Sequence, residues 1–300
     1  MSVKLPSETI FYVAISVCPY YKHCHLERAP TLRPAIGVWL NVSPDHLDRY
    51  DSYDDYVATK AKIFAQSKVI IANADDKQVK NYAKPYHHCV WFARSNEQAD
   101  YYLCNGEVMS RGKRLFSMTD FAQIGTHNAD NVMAVFATAA LLGVDEKVTA
   151  KACQAFIPLP CRTAIVGERH GVTFVNDSKG TNIGATVAAI NGIDRPMILL
   201  VGGQGKGQNF SELASACQQR VKQVLIFGQD SEIINKAMVK NNIPCRQVND
   251  LPAAVNAAIK SAQPGDVVML SPACASFDMF ANYLVRGAAF EQLVKEYLDE

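Results

Sequence analysis

The sequence predicts an α/β protein whose second half is a doubly wound parallel sheet. Apolar, β-favouring runs recur at residues 172–175, 197–201, 224–227 and 267–270, separated by helix-length segments. That alternation favours parallel strands with crossover helices. Three of the four runs also pass straight into a loop rich in glycine or small polar residues, the place where an open α/β sheet binds its ligands. Finally, 300 residues at 49% hydrophobic content suit two domains with substantial cores.

Composition excludes several function classes. A formal charge of +1 offers no bulk field for nucleic acid or an anionic membrane. Nine cysteines at irregular spacings, with no CxxC pair, read as reduced thiols rather than a disulfide framework. The longest apolar runs are far too short to span a bilayer, and the N-terminus lacks a signal-peptide layout. A cytoplasmic location is expected.

Along the first half, residues 13–15 read as a buried strand. The run Cys18-Pro19-Tyr20-Tyr21-Lys22-His23-Cys24-His25 matches no common zinc spacing. Residues 36–41 form an apolar strand that runs into Asp45, His46 and Asp48, placed where a metal or phosphate site can form. Residues 53–68 carry apolar positions at helical spacing, with Lys60 and Lys62 among them. A buried-type strand follows at 69–73. Residues 87–125 read as short antiparallel strands with turns at Asn105-Gly106 and Arg111-Gly112. The stretch Gly125-Thr126-His127-Asn128-Ala129-Asp130-Asn131 opens the next helix, which continues to Leu142 and ends at Gly143. Asn128 and Asn131 share a face of its first turn, which suits hydrogen bonding to a base or sugar. A short helix at 148–156 precedes Pro158-Leu159-Pro160, where the domain boundary is expected.

In the second half, Asn176-Asp177-Ser178-Lys179-Gly180-Thr181-Asn182 packs a carboxylate, a cation, two hydroxyls and two amides into one strand-end loop. A structural turn explains Asn, Asp and Gly but has no use for the lysine. Gly202-Gly203-Gln204-Gly205-Lys206-Gly207 fits neither a GxxxxGK[ST] phosphate loop nor a dinucleotide fingerprint. It reads as a flexible loop presenting one cation, Lys206, to a carboxylate or phosphate. Ser271-Pro272-Ala273-Cys274-Ala275-Ser276 closes the set.

These loops together resemble the Mur ligases, most nearly the members that add D-glutamate. The resemblance extends upstream through Asn41-Val42-Ser43-Pro44-Asp45-His46-Leu47-Asp48-Arg49-Tyr50, Thr126-His127-Asn128 and Leu159-Pro160-Cys161-Arg162, covering about residue 26 to the end. It implies a truncated central ATPase-type α/β domain at 1–158, with 1–25 out of the family pattern, then a Rossmann-like doubly wound domain at 159–300 that binds the amino acid. It further implies ATP and magnesium as cofactors, with UDP-N-acetylmuramoyl-L-alanine and D-glutamate as substrates, joined through an acyl phosphate in peptidoglycan precursor synthesis. A monomer is expected.

By position, the resemblance makes His46 a magnesium ligand and Lys60 the lysine that family members carry as a carbamate beside the metal. Asn128 and Asn131 would hold the adenine, Asp177 the ribose, and Arg162 and Lys179 the phosphates. Thr181, Lys206, Ser276, Phe277 and Tyr283 would surround the D-glutamate, with Tyr283 standing where a phenylalanine is common. Arg162, Lys179 and Lys60 would carry the catalysis.

The family's UDP-sugar domain and its GxxGK[ST] loop have no counterpart in these 300 residues, and Tyr20 stands near the place of a metal-binding glutamate. Little or no activity is therefore expected of this chain. The alternatives are a non-catalytic remnant with a ligand-binding C-terminal domain, or a related ligase such as a folylpolyglutamate synthase, against which the Ser271–Asp278 stretch argues.

Overall fold

The computed structural model describes residues 13–15, 26, 30–44, 50–121, 125–157 and 159–299. The chain divides into two compact units, Met1–Phe121 with Ala129–Ala155, and Ala122–Asn128 with Phe156–Glu300.

The first unit holds a seven-stranded sheet in sequence order: β1 (Val13–Ile15), β2 (Ile36–Trp39), β3 (Val69–Asn73), β4 (Cys89–Ala93), β5 (Tyr101–Cys104), β6 (Glu107–Ser110) and β7 (Lys113–Ser117). Pairings from β1 to β5 are parallel, and only β5–β6–β7 is antiparallel. The expectation of antiparallel pairing throughout 87–125 is thus corrected for β4. Helix α2 (Lys77–Ala83) carries the chain back between β3 and β4, so those two strands run the same way. The two expected turns are present. Asn105-Gly106 and Arg111-Gly112 all have positive φ, between 49° and 79°, as two-residue I′ hairpin loops require.

Helix α1 (Tyr53–Gln66) starts where the Ser52 side chain accepts from the Asp55 N–H, with Asp54 and Asp55 favourably placed in its first turn. Its Val57, Ile63 and Phe64 pack with Trp39, Ile70 and Ala72 on one face of the sheet. Helix α3 (Asn128–Leu141) covers the other face, setting Val132, Met133 and Phe136 against Val38, Ile71 and Phe92. Helix α4 (Glu146–Gln154) follows, capped by Asp145.

The second unit is a six-stranded sheet in the order β12-β11-β10-β13-β9-β8. Its strands are β8 (Ala164–Arg169), β9 (Val172–Asn176), β10 (Met197–Gly202), β11 (Val221–Phe227), β12 (Cys245–Gln247) and β13 (Val267–Leu270). All pair in parallel except β8 with β9. The four expected runs are β9, β10, β11 and β13. Their near-continuous hydrophobicity reflects burial on both faces. Leu199 and Val201 point to the side of α5 (Ile183–Gly192), α6 (Ser211–Cys217) and α7 (Ser231–Lys240). Ile198 and Leu200 point to the side of α8 (Leu251–Ser261) and α9 (Tyr283–Asp299).

The chain leaving β10 therefore enters a helix on one face, and the chain leaving β13 enters a helix on the other. β10 and β13 are neighbours, so their carboxyl-end loops meet where the chain switches faces of the sheet.

Candidate functional site

The loop after β9 is built around Asp177, which is buried. Its Oδ1 accepts from the Thr163 N–H at 3.1 Å and the Thr163 hydroxyl at 3.3 Å, and its Oδ2 accepts from the Ser271 hydroxyl at 2.7 Å. Burial pushes its carboxyl up to about 6, against the opposing pull of the Ser271 and Thr163 hydrogen bonds and the Arg162 charge. Gly180 is required by close approach: a Cβ there would stand 2.7 Å from both Asp177 Oδ2 and Ser271 Oγ. Asp177 thus ties its loop to the ends of β8 and β13, and both its oxygens already have protein partners.

Lys179 is half-buried, its N–H donating to the Cys161 carbonyl at 3.0 Å and its ammonium 4.4 Å from the centre of the Tyr283 ring. Thr181 follows with its N–H on the Lys179 carbonyl, and Asn182 caps α5 by accepting from the Ala185 N–H. Arg162 lies half-buried next to Cys161, near enough to Asp177 to lower that carboxyl's affinity for protons.

The glycine loop is pinned, which corrects the expectation of flexibility. At Gly202 (φ +148°) a Cβ would fall 1.8 Å from the Phe227 carbonyl, and at Gly203 (φ +127°) 2.1 Å from the Ala275 carbonyl. Gln204 and Ala275 exchange two backbone hydrogen bonds of 2.9 Å. The Gly205 N–H donates to Asp230 at 2.6 Å, and Gln208 links the Ile183 N–H to the Gly205 carbonyl. The glycines serve backbone approach between neighbouring strand ends. Lys206 (φ +54°) is left exposed at the tip.

The loop after β13 carries Ser276, which is buried and whose carbonyl accepts from Met279 and Phe280, and Phe277, which is exposed. The residue that gathers all three loops is Arg286. It is 1% exposed. Its Nε donates to Ser178 Oγ (3.0 Å), Nη2 to the Ser178 carbonyl (2.9 Å), and both Nη groups to the Cys274 carbonyl (3.1 Å each). A longer bond of 3.4 Å reaches the Gly202 carbonyl. Burial lowers its pKa to about 10, so it stays charged at neutral pH. The reading from sequence missed Arg286, although a signal existed. Arg286, Phe290 and Val294 recur every four residues along α9, which places an arginine on the buried stripe.

Arg162, Asp177, Lys179, Thr181, Lys206, Ser276, Phe277 and Tyr283 all lie in the second unit, on or beside the loops at the carboxyl end of its sheet. In the first unit, the Lys60 ammonium sits 5.1 Å from the centre of the buried Tyr56 ring, one helical turn away. Asn128, buried, and Asn131, half-buried, stand in the first turn of α3 as expected. Between them, Asp130 is buried against Arg94 (3.0 Å). His46 lies outside the described residues, as do Asp45 and Asp48. Among the described residues no group of three or more His, Cys, Asp or Glu is placed to hold a metal ion. No helix among them is long and apolar enough to cross a membrane.

Comparison with known proteins now bears on this geometry. Residues 19–139 match the family model of the Mur ligase middle domain, and residues 161–274 match that of the Mur ligase glutamate ligase domain. The chain is 43% identical over 273 residues to the UDP-N-acetylmuramoylalanine--D-glutamate ligase of Aromatoleum aromaticum, spanning 88% of this chain and 59% of that protein. For the same enzyme of Nitrosococcus oceani the identity is 41% over 280 residues, spanning 91% and 62%. Among solved structures, the MurF ligase of Thermotoga maritima in complex with ADP shares the fold, with a TM-score of 0.63 at 17% identity, over 90% of this chain and 64% of that one. The chain thus spans about 60% of the length of the curated relatives it matches.

Proposed function

The chain belongs to the Mur ligase family, and we propose that its residues serve ATP-dependent ligation of D-glutamate to UDP-N-acetylmuramoyl-L-alanine in peptidoglycan precursor synthesis. The observation that carries this reading is the convergence of the loops after β9, β10 and β13 on Arg286. That convergence brings Lys179, Lys206 and a buried serine to one sheet end in the domain matched as a glutamate ligase. Two cations on loops that also carry hydroxyls suit an acidic amino acid and a phosphoryl group, in chemistry that needs positioning and charge neutralisation more than covalent help.

ATP, when bound, supplies the phosphoryl group that activates the carboxylate of the first substrate. Lys179 and Arg162 then act as phosphate-facing cations, and Asn128 and Asn131 as base contacts at the start of α3. Thr181, Lys206, Ser276, Phe277 and Tyr283 receive the D-glutamate. Asp177, with both oxygens engaged by Thr163 and Ser271, meets a ribose only through its remaining lone pairs, so its first role here is to hold the loop. Magnesium at His46 and Lys60 is proposed on the family resemblance alone, and no step is routed through it. A cytoplasmic, monomeric protein fits this reading.

The 300 residues contain no GxxGK[ST] stretch. Losing even one preorganised donor to a transferring group costs roughly 10²–10³ in rate, so this polypeptide alone is expected to turn over little or not at all. The test is phosphate release by the purified chain with ATP, magnesium, UDP-N-acetylmuramoyl-L-alanine and D-glutamate, with Lys179→Ala as control. Release that needs both substrates and Lys179 would establish the ligase reading and overturn the expected inactivity. Absence of release, with D-glutamate still bound and binding lost in Lys206→Ala, fits a ligase's binding residues on a chain that does not turn over. Absence of both would remove the glutamate assignment.

A further inference from the structure

We infer that Tyr283 is a positioning residue for the Lys179 ammonium, holding it in place at the loop mouth by its ring face. The contact is 4.4 Å from ammonium to ring centre, well inside the range at which a cation is drawn to an aromatic quadrupole.

The backbones on both sides are fixed, so the contact is imposed by the scaffold. Ser178, directly before Lys179, donates its hydroxyl to the Tyr283 carbonyl at 2.9 Å. The same hydroxyl is held by Arg286 Nε, one helical turn after Tyr283 on α9. Lys179 itself is anchored through its N–H to Cys161, whose thiol also faces the Tyr283 carbonyl at 4.0 Å. The start of α9 and the loop after β9 are therefore tied together by side chains on either side of the contact, where the lysine and the ring meet. A lysine has four rotatable bonds, and fixing its ammonium before a ligand arrives removes that ordering cost from binding.

The attraction inferred is to the ring face, 4.4 Å from the ammonium. Tyr283→Phe should then keep the lysine ammonium in place, whereas Tyr283→Met, apolar but without a π-face, should release it. Tyr283→Trp, which changes the volume but keeps a π-face, should also hold the lysine, an outcome that a purely packing role would not give.

The first measurement needs no ligand. The intact chain and all three variants are acylated with limiting reagent, and labelling of Lys179 is read by peptide mass against exposed Lys206 in the same molecule. Tyr283→Met is expected to raise relative labelling of Lys179 about 2- to 5-fold, the span of a cation–π contact at a partly exposed site, and Tyr283→Phe and Tyr283→Trp to leave it unchanged. Equal labelling in all four chains, or a rise in Tyr283→Phe or Tyr283→Trp equal to that in Tyr283→Met, would overturn the assignment. Tyr283→Leu repeats the test if the Met variant does not fold.

A second measurement rests on the phosphate-facing reading of Lys179. Inorganic tripolyphosphate is titrated into the same four chains, with Lys179→Met as reference. Weakening of about 2- to 5-fold in Tyr283→Met alone supports the inference. Tighter binding in Tyr283→Met would mean that the ring holds the lysine away from its ligand and would overturn it. If the parent chain binds no tripolyphosphate, the phosphate reading fails, while the labelling result still decides what Tyr283 does.

Discussion

Replacing Arg286 with methionine tests whether one buried guanidinium holds the site together. The substitution removes five hydrogen bonds, four of them at 2.9–3.1 Å, to Ser178 and Cys274, and a weaker one at 3.4 Å to Gly202. Hydrogen bonds to a charged partner contribute about 1.5–3 kcal/mol each, so the four short ones sum to about 6–12 kcal/mol. Against this stands the burial of the charge, which lowers the Arg286 pKa from 12.5 to about 10 and corresponds to about 3 kcal/mol.

Methionine also fills much of the space, and whole buried ionic clusters can be exchanged for apolar residues at little cost. Here, however, only the donor is exchanged. The Ser178 and Cys274 carbonyls stay buried and lose partners, the costly half of the asymmetry. A net loss of about 3 kcal/mol follows, as expected when one side of a buried network is removed.

The assay is native-state hydrogen exchange on the 300-residue chain, read peptide by peptide. Amides of β9, β10 and β13 that open through this network should lose about 100-fold in protection, the equivalent of about 3 kcal/mol. Peptides of β2 and β3 serve as the internal reference. Arg286→Lys keeps the charge but presents a single ammonium, and should lie between parent and Met variant. A change below about 5-fold in the second-unit strands would show that the loops hold their places through Asp177 and Gln208, and would refute the argument.

Two further outcomes follow from the same loops. Because the Asp177 carboxyl is pushed up to about 6 by burial, the folded state holds its proton more tightly than the unfolded one. The second unit should therefore lose stability as pH rises from about 4 to about 6, by about 2 kcal/mol from this group. Melting curves for parent and Asp177→Asn should diverge across that window, and parallel curves would deny the shift. Gly202→Ala sets a methyl 1.8 Å from the Phe227 carbonyl at φ +148° and should cost at least about 3 kcal/mol, in the range of severe core defects. Gly207→Ala, at φ +74° with open space around it, should cost only about 1–2 kcal/mol of left-handed strain. Thermal denaturation distinguishes the pair, and equal losses would mean that strain rather than close approach explains both glycines.

How far the sequence could be read depended on whether a feature is local. The strands β9, β10, β11 and β13 announce themselves as short apolar runs, since burial on both faces demands it. The turns at Asn105-Gly106 and Arg111-Gly112 announce themselves through residues that tolerate positive φ. By the same logic β8 was available: His170 (φ +52°) and Gly171 (φ +74°) form a two-residue loop, with Arg169 paired to Val172. Its sequence, Ala-Ile-Val-Gly-Glu-Arg, lacks the clean alternation that would have drawn notice. The parallel pairing of β4 was hidden because α2, only seven residues long, decides the direction of the next strand.

Relations across the fold are where the sequence falls silent, and the site is made of such relations. Lys179 and Tyr283 stand 104 positions apart in the chain, and Arg286 reaches Ser178 across 108. Each residue is unremarkable in its own neighbourhood: a lysine in a polar loop, a tyrosine and an arginine in an amphipathic helix. The strand order makes them partners, because β13 inserts between β10 and β9 and delivers α9 over the loop that β9 has just released. The same insertion explains the double glycine. Gly202 and Gly203 sit where three backbones pass within touching distance, so what reads as a flexible anion loop is first a packing requirement, and Lys206 gains its exposed position from the rigidity of the residues before it. The double glycine thus builds a rigid loop with an exposed lysine at its tip, and glycine content alone does not mark a ligand loop.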